Sequence, residues 1–192
     1  MKKNAHLKYN IRLSGTGGQG LILAGIVLAE AANLEGKFVV QSQSYGPEAR
    51  GGASKAEVII SSNPIDFLNV EEADYFLALS PESYLKYCYS VRPKGVIIVD
   101  EQVDPKLFLI RVNVFPIIRT TREDLGNEIT ANMVALGVLT AISGILDVST
   151  VEKALKMRVP PHTVDLNIKA IRKGWELGSE CNFRGGEKSI NY

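Results

Sequence analysis

Cysteine is scarce in this chain. Only Cys88 and Cys181 occur among its 192 residues, and they lie far apart. Neither belongs to a C-x-x-C pair, so the chain alone offers no ligand set for a zinc ribbon or an iron–sulfur cluster. Two lone cysteines make no disulfide framework and favour a reducing compartment. An excess of one charge is also missing: 22 Lys and Arg stand against 21 Asp and Glu, a net charge of +1. That balance argues against a dedicated nucleic-acid binder, which carries a strong basic excess, and gives no reason to invoke an anionic membrane surface. No apolar run is long. The longest uncharged one, residues 129–146, is at about 18 residues the lower edge of a membrane span. It contains Thr130, Asn132, Thr140 and Ser143 and reads as a buried or interface helix. The start, Met1-Lys2-Lys3-Asn4-Ala5-His6, leads into Leu7-Lys8-Tyr9-Asn10, which is not the apolar core of a secretory signal. A cytoplasmic protein is expected.

Catalytic groupings are missing too. His6 and His162 are the only histidines; one is near the terminus, the other follows two prolines, and both read as exposed or structural. No serine sits in a G-x-S-x-G elbow. Cys88 lies among Tyr84, Leu85, Tyr87 and Tyr89 on an expected helix and reads as packing. Asp100 and Asp104 flank a turn after a strand, where capping is the simpler role. No catalytic residue and no metal ligand is assigned.

What is present is the pattern of an ordinary folded domain. Hydrophobic residues make up 45% and charged residues 22%, as in soluble globular chains. Strands are expected at 9–14, 38–42, 56–61, 75–80, 96–100 and 107–115 from alternation or short apolar runs. Helices are expected at 21–34, closed by Gly36, and at 81–90, capped by Ser80 with Pro81 in its first turn. Pro93-Lys94-Gly95 reads as a turn. The carboxyl-terminal part turns helical, at 129–146, 150–157 and 164–178. Ser149 and Glu152 there resemble a capping box. The expected fold is α/β: three α/β/α layers with a mainly parallel, Rossmann-like sheet and a helical carboxyl-terminal portion. A single domain covers 1–178, with a flexible tail at 179–192.

Two loops stand out. Gly15, Gly17 and Gly20 spell G-x-G-x-x-G between the first strand and the first helix. Glycines there permit positive φ and let a phosphate reach the amides of a helix N-terminus. A dinucleotide site also wants an acidic residue closing the second strand, and Gln41, Ser42 and Gln43 stand there instead. No Lys-Ser or Lys-Thr follows Gly20, which excludes a Walker A loop. A tight turn alone, another phosphate-bearing ligand, or packing against a partner all fit. The second loop, residues 41–54, gathers Tyr45, Gly46, Pro47, Glu48, Arg50, Gly51 and Gly52. Arg50 beside two glycines offers a guanidinium and amides to a phosphate or carboxylate; alternatively Arg50 pairs with Glu48 or Glu57.

Gly15-Thr16-Gly17-Gly18-Gln19-Gly20, Ala29-Glu30-Ala31-Ala32 and the stretch from Gln43 through Tyr45-Gly46-Pro47-Glu48-Ala49-Arg50-Gly51-Gly52 resemble the gamma subunit of 2-oxoacid:ferredoxin oxidoreductases. The resemblance continues through Ala73-Asp74, Pro93-Lys94-Gly95, Val99-Asp100, Asn132-Met133-Val134-Ala135-Leu136-Gly137 and Asn167-Ile168-Lys169-Ala170, spanning about residues 10–178. It implies a non-autonomous subunit of a complex that converts a 2-oxoacid and coenzyme A to an acyl-CoA and carbon dioxide, passing electrons to ferredoxin. Thiamine diphosphate is held by alpha and beta subunits and iron–sulfur clusters by beta or delta, while the gamma unit helps form the coenzyme A site. Gly15, Gly17, Gly18, Gln19 and Gly20 match the first motif, and Tyr45, Gly46, Arg50, Gly51 and Gly52 the second. The related indolepyruvate oxidoreductase beta subunit usually carries His-Gly-Met-Ala-Gln before Arg-Gly-Gly, where this chain has Tyr45-Gly46-Pro47-Glu48-Ala49. The short gamma form resembles most those of 2-oxoglutarate enzymes. Pyruvate and branched-chain forms, a free-standing dinucleotide-binding oxidoreductase and a purely structural subunit stand as alternatives.

Overall fold

The computed structural model describes residues 7–44, 53–105 and 111–182. Six strands form one sheet in the order β2-β3-β1-β4-β5-β6. They are β1 (Lys8–Thr16), β2 (Phe38–Ser44), β3 (Ala53–Ser61), β4 (Ala73–Ala78), β5 (Val91–Asp100) and β6 (Arg111–Phe115). From β1 through β4 and β5 to β6 the pairing is parallel. β3 runs antiparallel between β1 and β2. The expected α/β class and layering hold, but the sheet is mixed, because β3 intervenes between two strands that point the same way. Burial accounts for the order: residues 56–61 of β3 are all buried, whereas β2 is partly exposed along its length and forms an edge.

Alternation distributes the core to both faces. On one face, Ile11 and Leu13, Ala56, Val58 and Ile60, Leu77, and Ile98 pack against α1 (Leu21–Leu34), α4 (Ala131–Ser143), α5 (Val148–Lys156) and α6 (Val164–Asn182). On the other, Ile59, Phe76, Ala78, Ile97 and Val99 meet α2 (Pro81–Tyr87) and the single turn Cys88–Ser90. This second face turns polar at β1 and β3. There Arg12 Nε lies 2.7 Å from Glu57 Oε1, both buried, and Arg12 Nη2 donates to the Val70 carbonyl at 2.7 Å. Nη1 reaches Ser90, so one guanidinium ties the loop after β3 and the turn after α2 to the sheet.

Local signals explain most helix ends. α1 closes in a Schellman motif: Gly36, at φ 71°, donates to Asn33 and Lys37 donates to Ala32. Ser80 caps α2 by accepting from the Ser83 amide at 3.2 Å. α5 is capped by Asp147, which accepts from Ser149 N at 2.7 Å, so the expected Ser149 cap stands two positions too late. Glu152 pairs with Arg172 instead of closing a capping box. Pro93, Lys94 and Gly95 fall inside β5, where the pairing with β4 shifts register. A short α3 (Ile117–Glu123), whose residues show no apolar period, follows β6. α6 continues past Gly178 to Asn182, into the segment expected as tail.

α4 is buried all round from Ala131 to Thr140 and crosses α6 closely. A Cβ on Gly174 would overlap the Val134 carbonyl oxygen and stand 2.7 Å from its carbon; one on Gly137 would stand 2.8 Å from Trp175 N. Among the described residues no helix is long and apolar enough to cross a membrane.

Candidate functional site: the glycine turn between β1 and α1

β1 delivers the chain to Thr16, and α1 starts at Leu21. The Thr16 carbonyl accepts from Gln19 N at 3.3 Å, closing a four-residue turn with Gly18 at φ 93° in its third position. A positive φ there marks type II geometry and favours glycine. Gln19 folds its side chain back so that Oε1 accepts from Thr16 N at 2.8 Å, which rigidifies the turn from within. Gly20 is the N-cap of α1 in the left-handed region, at φ 72° and ψ 16°. No side chain caps α1 and no acidic residue lies in its first turn. The first-turn amides have no intrahelical acceptor, and the positive end of the helix dipole adds to them. Gly17, Gly18 and Gly20 are exposed. This is the arrangement that accepts an anion on backbone N–H groups.

The glycines serve different ends. Gly15 is buried, and a Cβ there would press 2.9 Å from Leu21 Cδ1. Gly18 and Gly20 hold positive φ, and a Cβ on Gly20 would also come within 2.5 Å of Asn132 Nδ2. Gly25, one turn into α1, lets the helix approach β3, since a Cβ there would be 2.9 Å from that of Ala56. Gly17 differs from all of these. Its φ is not positive, and among the described residues a Cβ would meet nothing within 4 Å. No contact among the described residues requires glycine at 17, which leaves close approach of a ligand to the backbone as a reason for it.

Tyr45, Gly46, Arg50, Gly51 and Gly52 lie outside the described residues. The strands that flank them are described: β2 ends at Ser44, and β3 begins at Ala53, directly opposite Thr16. The carboxyl ends of β1 and β2 and the start of β3 therefore share one edge with the glycine turn. Glu57, one of the alternatives for pairing Arg50, is held by Arg12 and by Lys55 Nζ at 3.0 Å.

Asn132, in the first turn of α4, was not among the expected site residues. Its Nδ2 donates to the Gly20 carbonyl at 2.9 Å. Within the sequence it is visible only as part of an unassigned motif. Two other singled-out residues, Asp100 and Cys88, are structural. Asp100 is fully buried, accepts from Gln102 N and Ile118 N, and so caps α3 from the end of β5. Cys88 is buried, and burial pushes its thiol pKa up, away from a reactive thiolate.

A family model described as "Pyruvate ferredoxin/flavodoxin oxidoreductase" matches residues 10–177. The chain belongs to this family. Within it, the chain is 44% identical to the protein of Methanocaldococcus jannaschii named 2-oxoglutarate synthase subunit KorC, over 93% of this chain and 98% of that one. It also matches the crystal structure of a keto/oxoacid ferredoxin oxidoreductase gamma subunit from Geobacter sulfurreducens. That match has a TM-score of 0.81 and 47% identity, covering 90% of this chain and 97% of the other. A further structural match is the 2-oxoglutarate:ferredoxin oxidoreductase of Magnetococcus marinus, solved with 2-oxoglutarate, coenzyme A and succinyl-CoA. It shares the fold at a TM-score of 0.81 but only 23% identity, and the match covers 90% of this chain and 31% of the longer one. The gamma-type resemblance read from the two loops is thereby borne out for this oxidoreductase family member.

Proposed function

We propose that this chain is the gamma subunit of a 2-oxoglutarate:ferredoxin oxidoreductase. The observation that carries the reading is its near end-to-end likeness to the KorC protein. In this reading the complex joins 2-oxoglutarate and coenzyme A into succinyl-CoA and carbon dioxide and passes the electrons to ferredoxin. Alpha, beta and delta subunits accompany this chain. Thiamine diphosphate and the iron–sulfur clusters reside in those partners and supply the decarboxylation and electron-transfer chemistry. Two unpaired cysteines suit the reducing cytoplasm in which such a complex works.

The contribution of this chain is to bind and orient. The glycine turn fits a phosphate-bearing substrate: its exposed corner lacks side chains, α1 is uncapped, and no carboxylate in the first turn opposes an anion. The amides of residues 17–22 would face a phosphate of coenzyme A, and Arg50, with Tyr45, Gly46, Gly51 and Gly52, would supply a guanidinium and further amides to the same site. Held there by its phosphates, coenzyme A would direct its thiol toward the partner subunits. Orientation of this kind turns the acyl transfer into an effectively intramolecular step.

Co-purification of the tagged chain with its partners tests this, followed by assays with 2-oxoglutarate, pyruvate and 2-oxoisovalerate as separate substrates. Coenzyme A-dependent reduction of ferredoxin with 2-oxoglutarate as the strongly preferred acid is the expected result. Preference for another acid would shift the assignment within the family. Tight binding of NAD by the isolated chain would favour the free-standing alternative.

A further inference from the structure

Asn132 is 4% exposed, and its amide is divided in its bonding. The donor end, Nδ2, meets the Gly20 carbonyl at 2.9 Å, although that carbonyl already accepts from Ala24 N at 3.2 Å. The acceptor end, Oδ1, is buried and has no hydrogen-bond partner among the described residues. A side chain that only filled this space would be apolar, because an unpaired buried acceptor is costly. The cost is incurred where the N-terminus of α4 meets that of α1. α1 exceeds two turns, its N-cap Gly20 carries no side chain and no acidic residue lies in its first turn, whereas α4 runs on from the turn Glu128–Thr130, whose Glu128 carbonyl accepts from Ala131 N.

We propose that Asn132 is a positioning residue of the coenzyme A site: it ties the α1 N-cap carbonyl to α4 and so fixes the direction in which the first-turn amides of α1 face a phosphate-bearing ligand. The inference rests on the coenzyme A reading given above and adds a residue to it. It explains why the amide keeps its donor toward the turn and leaves the acceptor unpaired. It also explains the glycine at 20, where a Cβ would displace Asn132 Nδ2.

The test uses the reconstituted complex and compares wild type with Asn132→Ala and Asn132→Asp. The aspartate places a carboxylate in the first turn of α4, which favours the helix itself but opposes the Gly20 carbonyl and an anionic ligand. The expected result is a KM for coenzyme A raised about tenfold in Asn132→Asp and by less in Asn132→Ala. The KM for 2-oxoglutarate should be unchanged in both. The alanine variant keeps the test standing should the carboxylate upset folding. An unchanged KM for coenzyme A overturns the proposal. So does a rise of both KM values alongside a lowered melting temperature, the signature of a residue that only supports the fold. Gly17→Ala in the same complex separates the two readings. If it raises the KM for coenzyme A while the Asn132 variants do not, the turn binds coenzyme A and the role of Asn132 is wrong. If it too leaves that KM unchanged, the coenzyme A reading itself fails.

Discussion

Replacing Gly174 by alanine sets two physical effects against each other. In an isolated helix the change is stabilising by about 1 kcal/mol, because alanine is the better helix former. In this structure the added methyl overlaps the Val134 carbonyl oxygen and lies 2.7 Å from the carbonyl carbon and 3.0 Å from its Cα. Backbone of α4 is on the other side, so no side chain can swing away. To restore ordinary contact, α4 and α6 must part by about 1 Å, which loosens the packing of Val134, Val138, Ala170 and Ile171, all of them fully buried. Overpacking of this kind costs about 1–3 kcal/mol or more, and the parted helices lose dispersion contacts besides. We expect a net destabilisation of about 2 kcal/mol, or a melting temperature lower by about 4–8 °C for a chain of this size. Thermal unfolding of the purified chain, followed by circular dichroism, reads it directly. A melting temperature equal to or above wild type would show that propensity outweighs packing and that the helices are not held at this spacing.

Other consequences follow from single contacts. Arg12→Ala leaves Glu57 with Lys55 alone among the described residues and strands the Val70 carbonyl, so denaturant unfolding should show a loss of about 3–5 kcal/mol. A loss under 1 kcal/mol would mean that the buried pair is not the anchor described. Asp147→Ala removes the cap of α5. The Asp147 carboxyl has its pKa lowered chiefly by the hydrogen bond from Ser149, so its contribution is complete above the ordinary aspartate range and fades as pH falls through the lowered value. The melting temperature of the variant should lie below wild type at pH 7, with the gap closing in acid. A gap of constant size would remove the charge from the explanation.

The parts of this fold that depend on neighbours in sequence were readable in it. The bounds of α1, the glycine at its C-terminus and the Ser80 cap follow from apolar spacing and from residues one or two positions away. The misses have longer-range causes. α3 is short, contains β-branched residues, and is capped by Asp100 from the end of another strand. Gly178 resembles a helix stop, yet it lies within α6 because a Cβ there would crowd Ala141 and the Val138 carbonyl, both at 2.8 Å. The antiparallel insertion of β3 is a matter of pairing, which alternation alone does not specify. In the site, the glycine turn announced itself as a pattern between a strand and a helix. Asn132 did not, since it reaches Gly20 from 112 positions away and no local rule marks an asparagine in the first turn of a buried helix as a clamp.

In the proposed reading the glycine turn presents bare backbone to coenzyme A, and Gly17 isolates that contact. Among the described residues a Cβ at this position meets nothing within 4 Å, and its φ is not one that only glycine tolerates. Gly17→Ala should therefore melt within a degree or two of wild type. Calorimetric titration of the reconstituted complex with coenzyme A should nonetheless show affinity weakened by about tenfold or more, as a methyl comes between the amides and the phosphate. Unchanged affinity in a normally folded Gly17→Ala complex would contradict the account.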